Sequence, residues 1–126
     1  MYEPYSKAIE RLEHVYLEDS YILSVREFDD CVEFNILAVL TEDHPLYHRP
    51  KPNEQYCYRE ARLQFLHCRE VNWLRKTFRP AYDANGVVDF GNFDTFEISA
   101  DKVHLEGEWG ELKLRCGLID FKPVVR

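Results

Sequence analysis

The sequence predicts an all-β, mainly antiparallel fold: a single sandwich or partly open barrel of about seven or eight strands with a short N-terminal helix. Two stretches carry this reading. From Thr95 to Cys116, TFEISADKVHLEGEWGELKLRC, apolar residues alternate at Phe96 and Ile98, Val103 and Leu105, then Leu112, Leu114 and Cys116. Turn-forming residues, Ser99–Lys102 and Gly107–Glu111, separate these runs. Period-two alternation places every second side chain on one face, so the segment reads as a three-strand meander with one buried face. Earlier in the chain, Tyr21–Phe28 and Cys31–Leu40 flank Asp29-Asp30 and read as a hairpin whose second strand enters the centre of the fold. Composition agrees, since 45% hydrophobic and 14% aromatic residues suit pleated, packed surfaces.

At 126 residues the chain fits one domain, 1–126, β-rich over 15–126. Over 4–14, Tyr5, Ile9 and Leu12 fall at helical spacing among Lys7, Glu10, Arg11 and Glu13, and Pro4 suits a first helical turn. Val15, Tyr16 and Leu17 could equally begin a strand. After the hairpin, residues 41–58 contain Pro45, Pro50 and Pro52 and read as a long loop, with room for a helical turn after His44. Loops of that length in compact domains are often functional. The alternative is a proline-stiffened crossover pinned by its own aromatics. Arg59–Arg69 alternates again, with Ala61, Leu63, Phe65 and His67 on one face, and Val71 and Trp73 resume the pattern beyond a turn or bulge. Asn85-Gly86 signals a tight turn before a brief strand, Val87–Phe90. The closing run from Gly117 holds Pro123, as edge strands tolerate.

Charge is unevenly spread. Residues 1–43, 44–79 and 80–126 carry −8, +5 and −4, which sum to the net −7. Overall acidity argues against nucleic acid and suits basic protein partners. The basic strip Arg59, Arg62, Arg69, Arg75, Lys76 and Arg79 is expected to pair with the acidic flanks. No apolar run approaches the ~20 residues of a membrane helix, and the N-terminus lacks a secretory pattern, so a cytoplasmic location is expected. Cys31, Cys57, Cys68 and Cys116 form no C-x-x-C pair and are expected to be buried small hydrophobes.

No motif for chemistry stands out. His67 and Cys68 are strand neighbours and point to opposite faces, and the paired spacings of zinc sites are missing. Asp83-Ala-Asn85-Gly86 places its glycine too early for a calcium loop. No serine sits in a nucleophile elbow, and the glycines are dispersed. No cofactor, metal site or catalytic residue is therefore expected. Trp109, between Gly107 and Gly110, reads as a core ring, whereas Trp73 stays open between surface and core.

The Tyr21–Leu40 hairpin, the strand region ARLQFLHCREV and the meander HLEGEWGELKLRC together resemble small uncharacterised bacterial all-β proteins, some of them toxin-immunity proteins. The resemblance spans most of residues 15–121 and carries no catalytic residues. It implies a domain that blocks a toxin by tight protein–protein contact. The function expected is thus a non-enzymatic protein-binding module, with Tyr47, His48, Arg49, Tyr56, Tyr58 and Trp73 as binding residues. The partner is another protein or, alternatively, a second copy of the chain. The competing expectation is a small-molecule binder or enzyme whose pocket lies between the 44–58 loop and the sheet, lined by His48, Tyr56, Tyr58 and Trp73.

Overall fold

The computed structural model describes residues 3–78, 81–82 and 88–124. The Asn85-Gly86 turn, Val87, Arg79 and Asp83 lie outside these residues. In chain order the elements are β1 (Glu3–Pro4), α1 (Tyr5–Ala8), a 3₁₀ turn (Glu10–Leu12), β2 (Val15–Glu27), β3 (Val32–Leu40), β4 (Cys57–Leu66), β5 (Glu70–Lys76), β6 (Ala81–Tyr82) and β7 (Val88–Asp89). The meander follows as β8 (Thr95–Ser99), β9 (Lys102–Gly107) and β10 (Gly110–Arg115), and β11 (Leu118–Pro123) closes the chain. One sheet has the order β1-β8-β9-β10-β5, the other β11-β4-β3-β2, and β6 pairs with β7. All pairings are antiparallel. Two separate sheets facing one another make this a sandwich, not a barrel.

The expected helix over 4–14 is broken. Ile9 adopts extended dihedrals (φ −124°, ψ 109°), which divides the segment into a four-residue α-turn and a three-residue 3₁₀ turn. Two anchors account for the break. The Tyr5 hydroxyl accepts a bond from the Leu17 amide at 3.0 Å and donates to the Glu18 carboxylate, while Leu12 is fully buried. The strand alternative for residues 15–17 is the one realised. The loop begins as expected after Leu40, but Cys57 and Tyr58 belong to β4. It holds no helical turn after His44. Instead, reverse turns staple it, with His44 N–H bonding the Thr41 carbonyl at 2.9 Å and Tyr47 N–H the His44 carbonyl at 2.9 Å.

The interior follows the alternation closely. Phe34, Ile36, Ala61, Leu63, Phe65, Leu105 and Leu112 are all fully buried. The 67–69 turn carries the chain from the four-stranded to the five-stranded sheet, so β4 and β5 belong to different sheets and form no hairpin. Pro123 ends an edge strand, where its missing N–H costs no ladder bond.

Trp109 lies in the two-residue connection between β9 and β10 and yet has no exposed surface. Its ring turns back between the sheets and meets Phe34 edge-on at 5.3 Å, Phe93 at 6.0 Å and Trp73 at 5.9 Å. The indole N–H donates to the Asn92 carbonyl at 3.0 Å, and the Asn92 amide donates to the Ser20 carbonyl at 2.6 Å. Gly107 makes the return possible, because a Cβ there would stand 2.2 Å from the Asn92 oxygen and 2.3 Å from the indole nitrogen. Replacing Trp109 with Ala should therefore cost about 3–5 kcal/mol, read as a lower denaturation midpoint in urea unfolding.

Candidate functional site

β2 does not run straight against β3. Tyr16 lies opposite Val39 and Tyr21 opposite Leu37, so residues 17–20 form a bulge opposite Ala38 alone. Ser20 repairs the ladder: its hydroxyl donates to the Tyr16 carbonyl at 2.8 Å and accepts from the Val39 amide at 2.9 Å. A second shift falls between Ile22 and Ser24. Tyr21 and Leu37 therefore occupy the outer face of the four-stranded sheet, with Ile22 and Ile36 buried beneath it.

Across that face, β3 places Val39 opposite Tyr58 of β4. The result is a patch of Tyr16, Tyr21, Tyr58 and Tyr56 over an aliphatic floor of Leu37 and Val39. The Tyr21 and Tyr58 rings lie 6.1 Å apart and tilt by 39°, while Tyr56 meets Tyr58 edge-on at 6.1 Å. The Asp19 carboxylate lies near the Tyr56 hydroxyl, and its interaction with that hydroxyl raises the Tyr56 pKa. Burial, followed by the neighbouring Tyr21, pushes Tyr58 up to about 12. The Tyr56 and Tyr58 hydroxyls stay neutral near pH 7.

The residues singled out from the sequence therefore separate into two groups. Tyr56 and Tyr58 lie in this patch. Tyr47 turns inward against the core, while His48 and Arg49 are exposed. The His48 amide bonds the Cys57 sulfur at 3.4 Å, and its Nδ1 lies 2.9 Å from the Arg49 carbonyl. Trp73 lies on β5 in the other sheet. Its indole N–H donates to Glu27 at 2.8 Å, and Lys76 sits over its ring at 4.9 Å while pairing with Glu27 at 2.8 Å. Those two bonds hold the Glu27 carboxyl below its ordinary value and brace the β2 and β5 edges together. A pocket shared by His48, Tyr56, Tyr58 and Trp73 is thus not what the fold assembles. The hollow beside the loop, about 240 Å³, is lined by Leu37, Glu54, Tyr58, Arg59, Glu60 and Val124.

Tyr16, Tyr21, Asp19 and Leu37 were not singled out from the sequence. The hairpin alternation signals an outward Tyr21, but the Glu18–Ser20 bulge hides which side Tyr16 and Asp19 take.

The basic strip is largely spent within the chain. Arg69 pairs with Asp101, Arg75 with Glu106 at 3.9 Å and Lys76 with Glu27, and Arg59 donates to the Val124 carbonyl at 3.1 Å. Next to the tyrosine patch, Ser24, Asn35, Arg62 and Lys122 form a polar row across the sheet. The Asn35 Oδ1 is buried there with no hydrogen-bond partner. Cys31, Cys68 and Cys116 gather at one end of the sandwich, where the Cys68 amide bonds the Asp30 carbonyl at 2.7 Å. Burial raises each thiol, Cys116 to about 12. Among the described residues no group of three His, Cys, Asp or Glu side chains is placed to hold a metal ion, and no helix is long and apolar enough to cross a membrane.

No family model, curated protein or solved structure matches the chain.

Two outcomes follow from this chemistry. Replacing Asn35 with Val removes an unsatisfied buried oxygen and adds a good strand former, so thermal unfolding should show a gain of about 1 kcal/mol. The Cys116 thiol ionises near pH 9 when unfolded and near 12 when folded. The folded state thus keeps a proton that the unfolded state gives up, and stability, full below pH 9, falls as pH rises towards 12. The limiting slope is about 1.4 kcal/mol per pH unit for this one group, and urea unfolding under reducing conditions should show it flattened in Cys116→Ala.

Proposed function

We propose that this chain is a non-enzymatic protein-binding module whose recognition face is the tyrosine end of the four-stranded sheet. The observation that carries this reading is the Tyr16, Tyr21, Tyr56 and Tyr58 patch on Leu37 and Val39. Tyrosines in this number on an outer sheet face are not required by the core, which is filled from the other side. Tyrosine supplies large, rigid contact area with a polar tip and little entropy to lose, which is why it is enriched where proteins meet. Tyr16 is 41% exposed, so part of its ring is already in water and available for burial by a partner.

A flat patch on a sheet suits a macromolecule better than a metabolite, because ligand pockets enclose roughly 300–1,000 Å³ and bury most of the bound molecule. The hollow next to Tyr58 is smaller than that range and opens to solvent. A bacterial cytoplasmic immunity protein, neutralising a toxin by occluding it, is the form of this function that the strand pattern resembles. Stoichiometric occlusion needs only a rigid complementary surface, and the sandwich supplies one without catalytic groups.

The test is affinity capture from the source cell with the wild type and with a Tyr56→Ser/Tyr58→Ser variant checked for unchanged unfolding temperature. A stoichiometric partner held by the wild type and lost from the variant is the expected result. Equal capture by both, or sedimentation showing that the patch is covered by a second copy of the chain, would overturn the assignment.

A further inference from the structure

We infer that the tyrosine end of the four-stranded sheet captures a basic side chain, an arginine or a lysine, presented by the protein partner. This rests on the recognition face proposed above and adds the chemistry of what it recognises.

The first support is the shape of the patch. Tyr21 and Tyr58 tilt by 39° at 6.1 Å, and Tyr56 stands at 82° to Tyr58 at the same separation. Rings set at such different angles cannot all stack flat on one another. They form a corner with π faces on more than one side. A cation placed over tyrosine faces is attracted by the ring quadrupole, by about 0.5–1 kcal/mol at exposed sites and about 2 or more when water is excluded.

The second support is charge. Asp19 lies near the Tyr56 hydroxyl at the corner, and Glu54 lines the adjoining hollow with Tyr58. An aromatic corner next to carboxylates favours a cation through both the π faces and the Coulomb term, while an anion would meet repulsion.

The third support is that no cation of the described residues lies over the tyrosine rings. Among the described residues, the cations over aromatic rings are Arg26 over Phe28 at 5.4 Å and Lys76 over Trp73 at 4.9 Å, both away from the tyrosines. Arg59, the basic residue lining the same hollow, is drawn off by the Val124 carbonyl at 3.1 Å. The raised Tyr56 and Tyr58 hydroxyl pKa values keep those two rings neutral, so recognition draws on ring faces and on the carboxylates.

The experiment is an NMR titration of the ¹⁵N-labelled full chain with hexa-arginine, hexa-lysine and hexa-glutamate. The expected result is that one or both cationic peptides shift the amides of Asp19, Tyr21, Leu37 and Tyr58, and hexa-glutamate shifts none of them. Tyr58→Leu should weaken binding by about tenfold, the scale of one desolvated cation–π contact, whereas Tyr58→Phe keeps the π face and should stay within about twofold. Asp19→Asn should weaken it by about threefold, the worth of one exposed charge contact. If Tyr58→Leu unfolds, Asp19→Asn and Tyr58→Phe still give the comparison. Cationic shifts confined to the Asp29–Asp30 turn, or an affinity indifferent to Tyr58→Leu and Asp19→Asn, would overturn the inference. Should that happen while affinity capture still depends on Tyr56 and Tyr58, the recognition face stands and only its preference for a cation falls.

Discussion

Everything in this sandwich depends on the cross-sheet aromatic cluster centred on Phe34. Phe34 of β3 touches Phe65, Phe93 and Trp109, and Phe93 in turn touches Phe96 of β8. Sheets packed face to face need side chains of this size to span the gap of roughly 10 Å between them. The edge-on and tilted contacts let the rings interlock at interior density, where a stack of parallel faces would leave voids. Trp109 is the unusual member, since a residue in a two-residue hairpin connection ordinarily faces water. Its burial ties the tip of β9–β10 to the core, and the Asn92 bridge extends that tie to the β2 bulge.

That bridge links the interior to the proposed recognition face. The bulge at residues 17–20 would weaken an ordinary edge strand, because three ladder positions go unpaired. Here Ser20 supplies the missing bond from its side chain, and Asn92, in the connection leading into β8, holds its carbonyl. The bulge therefore stays rigid, and it fixes the direction in which Asp19, Tyr16 and Tyr21 point. A binding surface built this way is set before the partner arrives, so little ordering entropy is lost on association. The same logic separates the two tryptophans. Trp109 locks the core, and Trp73 braces the β2 and β5 edges through Glu27 and Lys76.

Much of the fold was legible from residue order. The meander Thr95–Cys116, the hairpin into β3 and the edge position of Pro123 follow from period-two alternation and turn chemistry, both local signals. The N-terminal segment misled for a local reason. Tyr5, Ile9 and Leu12 have helical spacing, but Tyr5 and Leu12 are each drawn to separate parts of the core, and Ile9 becomes extended between them. The tyrosine patch was half legible. Tyr56 and Tyr58 stand out in an aromatic-rich stretch, whereas Tyr16, Tyr21 and Asp19 lie 35 or more positions away across strand pairings that alternation cannot specify.

By itself, the sequence determined that the chain forms antiparallel strands and which of their side chains face inward, because the side-chain period of a strand is a property of the local backbone. Only the tertiary structure decided which outward-facing residues become neighbours. Strand order and bulge register arise from non-local pairing, and those pairings bring Tyr58 beside Tyr21, carry Trp73 to the opposite sheet and gather Cys31, Cys68 and Cys116 at one end. A surface made from several strands has no linear signature, since each strand contributes only one or two of its residues.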